Sequence, residues 1–132
     1  MCRRGYSDMQ KLLQNVKDDR LEVYIVWLPV LSADKRSWAV KRTSEFSDDR
    51  VTYFWDGEQI TGNIWNEALE LDALAWDIYF LYGADSKWDK KPTSPNFWMH
   101  QLSGLEKGEY LDIGKFEKEA KKLLTKLEQD QE

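Results

Sequence analysis

The only cysteine in the sequence, Cys2, stands directly before two arginines, Arg3 and Arg4. If a helix begins here, its N-terminal dipole and the two guanidinium groups stabilise the thiolate, which is the nucleophilic form of cysteine. A single cysteine excludes an intramolecular disulfide and a cysteine zinc cluster, and it leaves thiol–disulfide exchange without a resolving partner in this chain. Cys2 is therefore a candidate catalytic thiol, and the alternative is an inert cysteine at a frayed terminus.

His100, Asp56 and Asp77 could take part in acid–base chemistry, but His100 and Asp56 have stronger structural interpretations. His100 is the lone histidine, on what the pattern predicts to be an edge strand, and no His–carboxylate spacing accompanies it, so we expect no metal site. Asp56 precedes Gly57, a pair typical of turns. Asp77 opens a predicted strand. The sequence contains no glycine-rich phosphate loop and no Ser–His–Asp arrangement.

The composition is that of one soluble domain. The 132 residues are 42% hydrophobic with a net charge of -5, whereas a protein that binds phosphate backbones needs a basic face. Seven Trp, six Tyr and five Phe suit core edges and interfaces, so a homodimer is one expectation. The sequence has no signal peptide and no apolar run of membrane-spanning length. We therefore expect a cytoplasmic protein with neither nucleic acid nor membrane as partner, and export stays open if the natural N-terminus lies upstream.

Hydrophobic periodicity predicts a single domain over residues 1–132. The first helix begins either at Arg3 or only at Asp8, after a capping signal at Ser7. The continuous apolar run at 21–31 is typical of a buried parallel strand that ends near Pro29. The second predicted helix is capped by Ser32 or Asp34, and its apolar stripe consists of Trp38, Ala39, Thr43 and Phe46. The elements that follow are a strand at 50–56, a helix at 59–72, strands at 75–83 and 96–102, and a last helix capped by Asp112. This alternation favours parallel pairing, with the last two strands antiparallel.

The element order is similar to the thioredoxin-like fold in its peroxiredoxin-type form, without its opening strand. The matching segments are "EVYIVWLPV" for the strand after the cysteine helix, "VTYFWDG" for the strand that ends in Asp, "NIWNEALEL" for the short helix, "AWDIYFLYG" and "FWMHQL" for the hairpin, and residues 112–128 for the closing helix. Three of these strands also resemble those of uncharacterised bacterial thioredoxin-like proteins. The resemblance implies an α/β fold with a mixed sheet of about four strands flanked by helices.

The same resemblance places Cys2 where the family has the second cysteine of a Cys-X-X-Cys helix. It implies that the first cysteine and the strand before it lie upstream of Met1. In the family this strand is central, between the strands that match 22–30 and 75–83. Three alternatives follow: a reading frame that starts further upstream, which we favour, direct closure of the two flanking strands, or a second chain that supplies the central strand.

The resemblance also implies a site wall of Ala75 and Trp76 beside Cys2, with Arg3 and Arg4 tuning the thiol. The family has a cis-proline before the third strand that helps to receive a substrate chain, and "LDALAWD" contains none, which weakens the expectation of substrate binding.

The expected function is a domain of a thiol–disulfide redox lineage without a complete dithiol site in this chain. Its expected partner is a protein thiol or disulfide, and we expect no cofactor; whether it is an enzyme stays open. The alternative function is a non-catalytic protein-interaction module with an aromatic-rich surface. A one-cysteine peroxidase is disfavoured, because only Met1 precedes Cys2.

Overall fold

The chain folds into helices and strands in the order that the sequence predicts, with one additional short strand before the last helix. The structure, a computed structural model, describes residues 3–132. The elements are α1 Arg3–Asn15, β1 Val23–Trp27, α2 Arg36–Ser44, β2 Val51–Trp55, α3 Ile60–Leu69, β3 Ile78–Leu81, β4 Phe97–His100, β5 Glu109–Tyr110 and α4 Ile113–Asp130. The predicted mixed α/β class is confirmed, and α1 begins at the earlier of its two expected positions.

The strands form two separate sheets within the described residues, where the sequence predicted one. β1 and β2 pair in parallel, with Val23 opposite Val51. β3 pairs antiparallel with β4, and β4 pairs in parallel with the two-residue β5. Both expected pairing directions are therefore confirmed. β1 and β3 do not pair with each other, so direct closure of these two strands is not what the chain does.

Helix α1 packs against both sheets. Tyr6 stands edge-on to Trp27 of β1, with ring centroids 5.1 Å apart, and its hydroxyl lies 3.0 Å from that of Tyr53 in β2. One turn further, Met9 and Leu12 belong to the main buried cluster. The other buried members of this cluster are Val16, Leu81, Met99, Leu111, Phe116 and Ala120. A single amphipathic helix therefore contributes to the core on both sides.

The β3–β4 hairpin is covered on both faces. Tyr79 and Phe97 both pack against Phe116 of α4, with ring centroids 6.5 and 6.2 Å away. Phe80 points to the opposite face, as strand alternation requires, and stacks on Trp65 of α3 at 5.4 Å. Helices α1 and α4 thus lie on one side of this sheet and α3 on the other.

The β1–β2 sheet is covered on one face only, which corrects the prediction of a fully buried first strand. Tyr24 is 63% exposed and Phe54 is 49% exposed. Their rings lie 6.3 Å apart on the face opposite α1. The continuous apolar run therefore predicts the strand correctly, and the strand ends at Trp27, shortly before Pro29. The run does not reveal that one face of the strand is left uncovered.

Helix α2 also differs from its prediction. Lys35 occupies the N-cap position without a side-chain hydrogen bond. Asp34 instead accepts the backbone N–H groups of Val30 and Leu31, both at 2.9 Å, and so closes the preceding turn. The helix ends before Phe46, and Trp38 of its predicted apolar stripe is 51% exposed. By contrast, Asp112 caps α4 as expected, by accepting the N–H of Lys115 at 2.9 Å.

Arg50 connects the start of β2 to the end of α1. Its guanidinium group donates to the carbonyls of Leu13 at 2.7 Å and Val16 at 2.5 Å, where the helix dipole favours a cation. It also forms a bidentate pair with Asp48, at 2.9 and 2.8 Å. These hydrogen bonds from Arg50 lower the pKa of Asp48 to about 2.

Replacing Asp48 with Asn should make stability less sensitive to acid. The ionised carboxylate stabilises the folded state above its unfolded-state pKa of about 4, and this contribution is lost as the pH falls toward about 2. The urea midpoint of the wild type should therefore fall across this window, and that of Asp48→Asn should start lower at neutral pH and fall less. The control is Asp130→Asn, at the exposed end of α4. Equal slopes for Asp48→Asn and wild type would contradict the prediction.

Replacing Gly5 with Ala should destabilise the fold. A Cβ at this position would lie 1.5 Å from Tyr79 Oη, and Tyr79 is held by a 2.6 Å hydrogen bond to Asp77. Displacing it should lower the free energy of unfolding by about 1–3 kcal/mol, measured by urea denaturation. Gly114→Ala in α4 is the matched control, because its Cβ meets only Asp112 at 3.4 Å and should not destabilise. Wild-type stability of Gly5→Ala would disprove the close contact.

Candidate functional site at the start of helix α1

The first turn of α1 contains both arginines that follow the cysteine. Helix α1 begins at Arg3, and the side chains of Arg3 and Arg4 are exposed. A first helical turn carries backbone N–H groups without helical acceptors and a partial positive charge, so this end of α1 favours an anion. Cys2 itself lies outside the described residues, and the role of its thiol stays a prediction.

The start of β3 meets this turn through Tyr79. The missing side chain of Gly5 allows the approach, since a Cβ there would overlap the tyrosine hydroxyl. Ala75 is buried, but it bonds to α3, because its N–H donates to the carbonyl of Gly62 at 3.1 Å. Trp76, which lies between Ala75 and Tyr79 in the sequence, is half-buried. Tyr79, which the sequence analysis did not single out, is thus the residue that brings the predicted wall segment to α1.

Asp77 shapes the entry into β3. Its φ is 55°, in the left-handed region that a residue with a side chain seldom adopts. Its carbonyl accepts the N–H of Gln101 at 3.0 Å, and its carboxylate accepts the hydroxyl of Tyr79. These contacts hold a conformation that costs of order 1 kcal/mol. No cis peptide bond occurs among the described residues.

Arg3 belongs to a different surface from Ala75 and Trp76. It lines a cleft of about 450 Å³ between α1 and α2, together with the indoles of Trp27 and Trp38. Neither Ala75 nor Trp76 lines this cleft. Of the predicted site residues, Arg3 therefore lies at the cleft beside α2, whereas Ala75 bonds to α3.

His100 is buried in the hairpin and not on an edge strand, because β5 extends the sheet beyond β4. It is 2% exposed, and its Nδ1 accepts the N–H of Leu102 at 3.0 Å. The rings of Trp98 and Tyr110 lie 6.1 and 6.0 Å away. Its surroundings are those of a packing residue. Within residues 3–132, no three potential metal-binding side chains lie together.

Asp56 forms the turn that the sequence predicts and also begins α3. Its carboxylate accepts the N–H of Ile60 at 3.0 Å and both the N–H and the hydroxyl of Thr61 at 2.7 and 2.6 Å. Partial burial acts to raise the pKa of Asp56, but the hydrogen bonds from Thr61 and Ile60 outweigh burial and lower it. Asp56 therefore stays ionised as a structural acceptor.

Comparisons of the chain with protein-family models, with curated proteins and with solved structures find no match. The resemblance to the thioredoxin-like family therefore rests on the chain's own segments. In the part of the chain that the structure describes, no helix has both the length and the apolar character needed to cross a membrane.

Proposed function

We propose that the chain is a thioredoxin-like domain of a thiol–disulfide redox lineage, with one thiol at Cys2 and no dithiol cycle of its own. The observation that carries the proposal is the division of the strands into β1–β2 and β3–β4–β5, with α1 packed against both. If the central strand is removed from the sheet expected for the family, the remaining strands fall into the same two groups.

The hydrogen-bonding directions of β1 leave one of its edges without a partner strand among the described residues. Val23 donates its N–H to Arg50, and the carbonyl of Trp27 accepts the N–H of Asp56, so these residues direct their backbone groups toward β2. Because hydrogen-bonding direction alternates along a strand, Tyr24 and Val26 direct theirs away from β2. Among the described residues no strand pairs with that edge.

The inner edge of β3 has the same property. Leu81 and Asp77 accept the N–H groups of Asn96 and Gln101 on the β4 side. Ile78 and Phe80 therefore direct their backbone groups to the other side, where the described residues provide no paired strand. Two strand edges that match the neighbours of the family's central strand are thus both unpaired, and α1 contacts both sheets that carry them.

A single thiol limits the chemistry to one exchange step. The Cys2 thiolate attacks one sulfur of a partner disulfide, a mixed disulfide forms, and the other partner sulfur leaves as a thiolate. Release of the mixed disulfide needs a second thiol, which the partner must supply because the sequence has no other cysteine. The proposed role is therefore reversible capture of a protein thiol partner.

The test is the alkylation rate of Cys2 as a function of pH on the folded protein. Because Cys2 is the only cysteine, the rate reports this residue alone. The start of α1 and the two arginines should move the midpoint below the model-peptide value of about 8.5. The same measurement in urea gives the reference for the unfolded chain.

Charge-matched variants separate tuning by the site from a general effect of net charge. Arg3→Gln and Arg4→Gln should each raise the midpoint toward the urea value, whereas Lys118→Gln, on the exposed surface of α4, should leave it unchanged. A folded midpoint equal to that in urea would refute the activated thiol. The non-catalytic alternative would then be the better description.

A second function, a protein-interaction module, is favoured by the open face of β1–β2. Tyr24 and Phe54 form an exposed aromatic pair there. Beside Tyr24 lies a depression of about 470 Å³ whose lining includes the carboxylates of Asp19, Glu22 and Asp49. Aromatic anchors with an acidic rim fit a partner segment that is apolar and basic.

The probe for this alternative is a synthetic peptide of alternating lysine and leucine. It should bind with an affinity that falls as salt rises, and the double variant Tyr24→Ser, Phe54→Ser should weaken binding by about tenfold, measured by calorimetry. Trp88→Ser removes a comparably exposed aromatic residue elsewhere and is the control. Equal binding of a glutamate–leucine peptide, or an equal loss in Trp88→Ser, would rule out this surface.

A further inference from the structure

The cleft between α1 and α2 is built from one face of each helix. Helical spacing aligns the side chains of each face toward the other helix. The lining from α1 is Arg3, Tyr6, Ser7 and Gln10, and that from α2 and its C-cap is Trp38, Lys41, Arg42 and Glu45. A volume of about 450 Å³ lies within the range of small-molecule sites.

Among the described residues, two cations of this cleft have no partner. The side chains of Arg3 and Lys41 make no ion pair or hydrogen bond there, although both line the cleft. Arg42, in contrast, is neutralised by Glu45 at 2.8 Å. The remaining carboxylate of the lining, Asp34, already accepts two backbone N–H groups. With Arg42 paired to Glu45, Arg3 and Lys41 carry two positive charges against the one negative charge of Asp34, so the net charge of these lining residues is positive.

The inner wall of the cleft includes Trp27. Trp27 is 8% exposed, and its Nε1 has no partner among the described residues. The nearby hydroxyl of Tyr6 is already engaged by the carbonyl of Arg42 at 3.1 Å and by Tyr53. Burial, followed by the bond with Tyr6, raises the pKa of Tyr53 well above its usual value, so that phenol stays neutral. A buried N–H without an acceptor is costly, but the Nε1 atom is covered by the protein itself, so Trp27 is a neighbour of the cleft and not a hydrogen-bond donor to its contents.

The outer wall offers a flat apolar surface. Trp38 is 51% exposed on α2, where a helix facing solvent alone would carry a polar residue. Indole faces bind planar rings and favour stacked or edge-on contacts. The cleft thus combines free cations with an aromatic wall.

We infer that this cleft binds a small molecule that joins an anionic head group, a carboxylate or a phosphate ester, to a flat aromatic body. Arg3 and Lys41 hold the head group, and Trp38 contacts the aromatic body. The inference does not rest on the thiol of Cys2, and it extends beyond the redox proposal. Its failure leaves the alkylation profile of Cys2 untouched.

The test uses 2-naphthoate as the probe and its neutral counterpart 2-naphthamide as the comparison. Binding to the full chain is followed through the indole N–H signals of the seven Trp residues in ¹⁵N-resolved NMR spectra. 2-Naphthoate should shift the signal of Trp27 in a saturable manner. The amide should bind at least about tenfold more weakly, because it lacks the charge that Arg3 and Lys41 recognise.

Single variants check the assigned contacts. Lys41→Gln and Arg3→Gln should each weaken 2-naphthoate by about three- to tenfold, and Trp38→Leu should weaken both probes. Lys118→Gln removes the same charge from α4, outside the cleft, and should not change the affinity. The inference is overturned if the Trp27 signal does not saturate, if the amide binds equally well, or if inorganic phosphate alone binds as tightly as 2-naphthoate.

Discussion

The packing of helix α1 against both sheets is the constraint on which the rest of the structure depends. No strand pairing joins β1–β2 to β3–β4–β5 in the described chain, so side-chain contacts rather than a backbone ladder keep them together. Tyr6 makes this contact on one side and Met9 and Leu12 make it on the other. At the C-terminal end of α1, Arg50, which precedes β2, donates hydrogen bonds to backbone carbonyls of the helix and of the residue that follows it. Both candidate sites, the first turn and the cleft beside α2, are surfaces of this one helix.

Hydrophobic periodicity was sufficient to predict every element except β5, because each long helix and each of the first four strands has an apolar pattern of its own. The turn at Asp56 and the helix cap at Asp112 were predictable, because each aspartate accepts backbone N–H groups close to it in the sequence. β5 was missed because it is two exposed residues that form a strand only through pairing with β4. The open face of β1 was missed because an apolar run does not say which helices will cover it, and that depends on tertiary packing.

The candidate site was harder to predict, because its parts come from segments far apart in the sequence. Arg3 was identified through its neighbour Cys2, but its place in a cleft depends on how α1 packs against α2. Lys41 carries no signal beyond being a charged residue of a short helix, and Trp38 was expected on the apolar stripe of that helix. Gly5 did carry a signal, because a glycine inside a helix lowers the stability of that helix. Such a glycine often allows another element to approach closely, and here that element is β3 with Tyr79.

The absence of paired strands between the two sheets of the described chain has a consequence for local opening. In a continuous sheet, each strand is stabilised by hydrogen bonds to its neighbours. Two sheets that are held together by one helix instead form separate units of hydrogen-exchange protection. β1–β2 has only two strands and is already exposed to solvent on the face of Tyr24 and Phe54. Its amides should therefore exchange through openings that leave the β3–β4 ladder closed. The edge of β1 that has no partner strand among the described residues thus belongs to the part of the molecule that we expect to open first.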